Sequence, residues 1–441
     1  MRQGIPMFFL KLAAGVALST LFWIGLQAHA ATAAGAPVVV KDQGYVPFAD
    51  APIGYRSQNL SDPVAKLQQQ LDSGQVRLEY EPEHGYLKSV LRALRISATS
   101  QTLVYSKTSF QYQRISPEHP RALYYNDDVY VGQVHEGRLL EFVSFDPMQG
   151  AIFYVMDEHK VDRPRFERSL LDCIQCHVAS STRNVPGVML RSIFTTPSGT
   201  QEPRTAQYIT GQESPIQDRW GGWYVTGNTG LAASMGREIP GSVDAFAYLT
   251  PYSDVVAHLV LAHQTQMHNA ITQTNYQTRL ALYGLPPGII PEFARTRFEK
   301  PAEQLVRYLL FANEARLDAP VAGTSGFAEE FAARGPRDPL GRSLRDFDLR
   351  KRIFKYPCSY LIYSEAFDAI PGPAKDYIYR RLFDILTGRE QGPEFAALSG
   401  EDRRAILEIL VATKPGLPEE FRQFAGGRNE AELNQKPTER K

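Results

Sequence analysis

The chain has 441 residues, and its 48 Lys and Arg balance 48 Asp and Glu, which leaves no basic footprint for nucleic acid or any other polyanion. Hydrophobic residues make up 43% and aromatic residues 11%, a composition that excludes a disordered chain and supplies material for two or three packed units. Three cysteines are too few for a disulfide framework.

In chain order, residues 1–30 read as a secretory signal peptide: basic Arg2 and Lys11, an apolar run from Leu12 to Leu26, and the small-x-small box Ala28-His29-Ala30, with cleavage expected after Ala30. The apolar run is short for a membrane span, which makes an uncleaved anchor the alternative, and no later run is apolar enough to cross a bilayer. A soluble, exported, periplasmic chain with no membrane span after signal removal is expected. Residues 31–160 are expected to form a β-rich N-terminal domain. It opens with an extended arm to Leu60 and a short helix capped by Asp62, with Pro63 at its first position and Gly74 at its end. Alternating stretches then run from Val76 to Met156, among them Val76–Tyr80 and Val129–Val134. The last hairpin is expected from Leu139–Phe145 and Ala151–Met156, joined by Asp146-Pro147-Met148-Gln149-Gly150.

Residues 161–250 are largely irregular and contain Cys173-Ile174-Gln175-Cys176-His177. From Thr250, expected to cap, and Pro251, residues Tyr252, Val256, Leu259, His263, Met267 and Ala270 recur at helical spacing, with His258 and His268 on the polar side. Further helices are expected at 301–317, 360–369, 374–387 and 399–413, with a Gly-, Pro- and Ala-rich connection at 318–345. The whole reads as an α+β protein: the β-rich unit, a central haem segment at 161–250, a mostly helical half at 251–425 and a polar tail at 426–441.

The Cys-x-x-Cys-His run carries the chemistry. Residues three apart share a face of a helical turn, so two sulfurs can meet the two vinyl groups of one porphyrin, and the next imidazole falls under the iron. Cys173 and Cys176 are therefore read as the covalent attachment points of one haem c, and His177 as its proximal ligand. At this Cys and His content, chance yields such a run in roughly a few chains in ten thousand. A small disulfide between Cys173 and Cys176 is one alternative. Half a zinc site is another, although Cys358 has no sequence neighbour to help complete it. For the sixth iron position the candidates are His263, mid-stripe on its helix, and Met235, in the Gly-rich stretch Gly230–Gly241, with Met189, Met267 and His268 behind them. A histidine on an apolar face also has the commoner role of a satisfied core residue. Trp220 and Trp223, set among glycines, suit a porphyrin wall or equally the aromatic core of a tight hairpin. Arg183, Arg191 and Arg219 are candidate partners for the propionates.

The strings RALYYNDDVYVGQV, CIQCHVASSTRNVPG, SPIQDRWGGWYVTGNTG, HQTQMHNAIT and FDLRKRIFKYPCSYLIYS together resemble a family of exported bacterial cytochrome c domain proteins, largely without an assigned role. The resemblance runs from about Leu123 to Pro418. It implies haem on Cys173 and Cys176 with His177 on iron, redox activity and a periplasmic address, and it supplies no substrate. Three function classes follow: an electron-transfer cytochrome working with a periplasmic redox partner protein or small molecule; a haem-dependent oxidoreductase or small-ligand sensor with an open sixth position; and an exported non-haem binding module with a structural disulfide.

Overall fold

The structure, a computed structural model, describes residues 46–229 and 234–435. The expected signal peptide and the final residues of the expected polar tail lie outside the described residues. Its framework is a seven-stranded sheet built from β1 (Thr102–Val104), β2 (Arg121–Tyr125), β3 (Val129–Val134), β4 (Leu139–Asp146), β5 (Gly150–Asp157), β6 (Glu167–Arg168) and β9 (Trp223–Tyr224), antiparallel throughout in the order β6-β5-β4-β3-β2-β1-β9. A separate hairpin pairs β7 (Arg191–Ile193) with β8 (Gln207–Ile209). The expected last hairpin forms, in register from Leu139↔Asp157 to Asp146↔Gly150. Its turn is closed by Asp146 Oδ1, which accepts from Met148 N–H and Gln149 N–H at 2.9 Å each, while Gly150 takes a φ of +68°.

Directly paired residues share a face, so the register sorts the sheet into two sides. One side presents Ala122, Tyr124, Val131, Phe142, Ile152 and Tyr154, buried against α1 (Pro63–Asp72) and α2 (Leu87–Ala93). The other presents Val104, Tyr125, Tyr130, Phe145, Ala151 and Phe153 to α4 (Val255–Leu282) and the helices behind it. The α+β class is therefore present, and the described residues fall within one compact unit. Among the described residues no helix is long and apolar enough to cross a membrane.

Several expected boundaries move, each for a local reason. Asp62 caps α1 as expected, accepting from Val64 N–H and Ala65 N–H. Val76–Tyr80 alternates but is no strand: it has no neighbouring strand to pair with, and Glu79 N–H donates to Ser89 Oγ of α2 instead. The long helix starts at Val255 rather than at Pro251, because Asp254 is the better cap. Its Oδ1 accepts from Val256 and Ala257, and its Oδ2 accepts from the backbone N–H groups of Thr324 and Ser325, tying two segments at once. Nor is α4 amphipathic, since 24 of its 28 residues are buried, His258 and His268 included. Next, α5 (Glu292–Leu309) takes Pro301 into its interior and ends before Leu317, where Phe311 and Asn313 adopt left-handed backbone. The 318–345 connection contains α6 (Phe327–Ala333). Then α7 (Glu365–Asp368), α8 (Gly372–Leu386) and α9 (Gly400–Thr413) follow where helices are expected, and α10 (Glu419–Gln435) runs into the expected polar tail.

Candidate haem-attachment site

The Cys-x-x-Cys-His run forms a single helical turn, α3 (Ile174–His177), with Cys173 at its cap and Cys173 O accepting from Cys176 N–H at 3.2 Å and His177 N–H at 3.0 Å. Cys173 is half-buried and Cys176 exposed, and both are free thiols. Cys173 Sγ donates to Ser169 Oγ at 3.3 Å, and partial burial pushes its thiol up from the ordinary range. Cys358 is fully buried and unbonded, its thiol raised by burial alone.

The His177 ring is held through one nitrogen only. Its Nδ1 lies 2.8 Å from Gly187 O, a contact that puts the proton on Nδ1 and leaves the Nε2 lone pair unused. Desolvation lowers its pKa below the usual histidine value, so the ring is neutral near pH 7, as a metal ligand must be. The ring also packs on Phe153 at 4.8 Å between centroids.

The loop after the motif is held as firmly as the motif. Gly187 N–H returns a bond to His177 O at 3.0 Å, so the two residues are paired in both directions. The Thr182 hydroxyl accepts from Ala179 N–H and lies within bonding distance of the carbonyls of His177, Ala179 and Val185. Three amides from one face of α4 close the loop from the other side: Gln266 Nε2 donates to Ser181 O, Gln273 Nε2 to Arg183 O, and Asn269 bonds both the N–H and the C=O of Val188, at 3.0 and 2.7 Å. These bonds explain why a buried helix carries so many polar residues. Gly187 is required by close approach, because a Cβ there would stand 2.9 Å from Asn269 Cγ and 3.1 Å from Thr182 Cβ.

The remaining sequence candidates are placed as follows. The ring neighbour of both Trp220 and Trp223 is His258, at 6.1 and 5.3 Å, rather than His177; Trp223 belongs to β9 and its Nε1 donates to Arg191 O. Both tryptophans are core residues of the sheet and the start of α4. His263 is fully buried with both nitrogens engaged, Nδ1 to Gln212 Oε1 and Nε2 to Ser359 Oγ at 2.7 Å each, and it stacks on Phe311 at 4.4 Å. That is the environment of a satisfied core histidine. Met235 is half-buried with its Sδ 3.6 Å from Ser192 Oγ, and Met189 accepts a bond from Ser181 Oγ at 3.0 Å. Met267 is wholly buried in α4, and His268 bonds Asp127 O through Nε2. Arg219 holds Ser214 O and Gln212 O, fully buried with its Nη1 unpartnered in the core, and Arg183 lies over the Tyr308 ring, whereas the charge of Arg191 reaches His177.

Sequence reasoning missed Gly187, Asn269 and Arg121, whose charge, like that of Arg191, reaches His177. The motif gives no hint of them, because their part depends on which strand and which helix the loop folds against. Among the described residues no three His, Cys, Asp or Glu side chains converge as a metal cage. One free imidazole and two thiols fit a prosthetic group that brings its own four nitrogen donors to iron. Compared with protein-family models, with curated proteins and with solved structures, the chain finds no match in any of the three.

Proposed function

We propose that the chain is an exported, periplasmic mono-haem c-type cytochrome that transfers electrons, with one haem attached through Cys173 and Cys176 and His177 as the proximal ligand. The observation that carries this reading is the His177–Gly187 pair, which fixes the ring by Nδ1 and leaves Nε2 without a hydrogen bond in the same turn as two cysteines that form no disulfide. Haem bound there supplies one-electron chemistry. The exposure of Cys176 favours electron transfer, since an attached porphyrin would keep that edge near the surface, where a redox partner protein or small molecule can approach. A second reading, a haem-dependent oxidoreductase or ligand sensor with an open sixth position, is favoured by the complete use of both His263 nitrogens, which removes that histidine as a sixth ligand; a Met235 thioether in its place would return the protein to the first reading.

The visible spectrum of purified protein discriminates these readings. Low-spin six-coordinate haem supports electron transfer, and high-spin five-coordinate haem supports the second reading. A protein from a haem-attaching host that carries no covalent haem would overturn both and return the chain to the class of disulfide-bearing binding modules.

A further inference from the structure

One side of the sheet is incompletely covered by the chain itself. Toward α4 it is sealed by Tyr125, Tyr130, Phe145 and Ala151. The central rows beyond them are half-open: Leu123, Val143 and Val155 are only partly buried, although they lie on interior strands of a seven-stranded sheet whose opposite side is closed. These rows share a face by register, Leu123↔Gly132↔Glu141↔Val155 and Tyr125↔Tyr130↔Val143↔Phe153. The attachment turn abuts them. Cys173 and Ile174 pack on the same hydrophobic cluster as Leu123 and Val143, and Phe153 carries the His177 ring.

The strip also holds a charged group with bonding capacity to spare. Arg121 forms an ion pair with Glu141, which Ser109 Oγ and Gln111 Nε2 also satisfy, yet the buried Nε of Arg121 has no acceptor. Its guanidinium packs over Gly132, where a Cβ would stand 2.7 Å from Nε and 2.8 Å from Cζ. Its charge and that of Glu141 reach both Cys173 and His177. At its outer end the strip continues into a surface pocket lined by Phe110, Gln111, Tyr112, Leu139 and Asp157.

From this juxtaposition we infer that the half-open sheet face of Leu123, Val143 and Val155 is the surface on which the attached haem lies, with Arg121 donating to a propionate. The inference rests on the haem reading above. A porphyrin is a flat apolar plate with acidic side chains, tethered here at Cys173 and Cys176, and the strip offers apolar side chains and, over Gly132, a cation with an unpartnered Nε whose charge reaches Cys173. Trp220 and Trp223 are not needed as a wall.

Thiol footprinting tests the assignment. In V143C, haem-loaded protein should react with a maleimide at least about tenfold more slowly than the same variant made haem-free by C173A and C176A, because reactivity follows exposure and Cys358 is buried in both. Equal rates in a haem-staining sample would overturn the inference while leaving the haem reading intact; absence of haem stain from the wild type would instead overturn the haem reading. Should V143C fail to load haem, R121Q decides. Loss of a cation beside the porphyrin should lower the midpoint potential of the loaded protein, and an unchanged potential would remove Arg121 from the site.

Discussion

Replacing Gly187 by alanine forces a methyl into space that Asn269 and Thr182 already fill, at 2.9 and 3.1 Å from their nearest carbons apart from the still closer Asn269 Oδ1. Asn269 is fully buried and has to give way, losing its bonds to Val188 N–H and Val188 C=O. Each buried group left without a partner costs about 1–3 kcal/mol, so G187A should lose about 2–6 kcal/mol, a large share of a typical total stability of about 5–15 kcal/mol. N269A should lose a similar amount by removing the same two bonds, but it also clears the space that the methyl needs. The double variant should therefore cost little more than N269A alone, giving a coupling energy of about 2 kcal/mol or more between residues 82 positions apart, counting from 187 to 269. Urea unfolding of the four proteins, followed by far-ultraviolet circular dichroism, measures the cycle. Because Gly187 O also fixes His177 Nδ1, G187A should shift the haem midpoint potential, whereas a remote destabilising change should not. Wild-type stability for G187A, or additive losses in the double variant, would refute the reasoning.

Haem should remain on the polypeptide in a denaturing gel and vanish with C173A plus C176A, while C358A leaves it in place; loss of stain in C358A alone would overturn the assignment of the three cysteines. H263A should cost about 2–4 kcal/mol by stranding Gln212 and Ser359 in the core, with no change in iron spin state, and conversion to high-spin haem in that variant would restore His263 as a ligand. Burial raises the Glu314 carboxyl from 4.5 to about 7. The unfolded chain thus releases this proton from about pH 4.5 upward, the folded chain only near 7, and the group's contribution to stability falls by up to about 3 kcal/mol as pH rises through that window. E314Q, which keeps an acceptor for Ile353 N–H, should therefore gain on the wild type between pH 5 and pH 8, and parallel stability curves would refute the shift.

Some of this was legible in the residues and some was not, for physical reasons. Asp62-Pro63 and the hairpin at Asp146–Gly150 were readable because cap and turn chemistry act within a few residues. The start of α4 was not, because Thr250-Pro251 and Asp254 are both good local caps and the choice is made by Thr324 and Ser325, 70 and 71 residues away. The Val76–Tyr80 alternation misled for the same reason, since a strand needs a neighbour and no local pattern supplies one. The helical stripe through His263 was real as a period, but it could not reveal that the opposite side of α4 is buried too, because that side's Gln266, Asn269 and Gln273 satisfy a loop's backbone rather than water.

Of the sheltered histidines, His84 lies far from the motif in sequence with its buried Nδ1 unpartnered, and four others separate by what their nitrogens do and where they sit. His258 Nε2 lies 3.0 Å from both Ser253 Oγ and Tyr224 O, and His263 is bonded at both nitrogens. His268 spends Nε2 on Asp127 O and stacks on Phe145 at 3.8 Å, with an Nδ1 that is unpartnered but sealed in the core, out of reach of a prosthetic group. His177 has Nδ1 bonded to the backbone while its Nε2 is neither hydrogen-bonded nor among the buried unpartnered atoms of the described residues; the same holds for Nδ1 of His258, but His258 is buried in the core at 1% exposure whereas His177 is half-buried. Burial depresses the pKa of all four, so neutrality does not distinguish them. Position does: His177 is half-buried, one residue from Cys176 and four from Cys173, and it ends the turn that leads into the loop α4 clamps with three amides. On the haem reading proposed above, a ligand held this way would meet iron without reorganising its surroundings, as a centre that changes oxidation state with little structural cost requires.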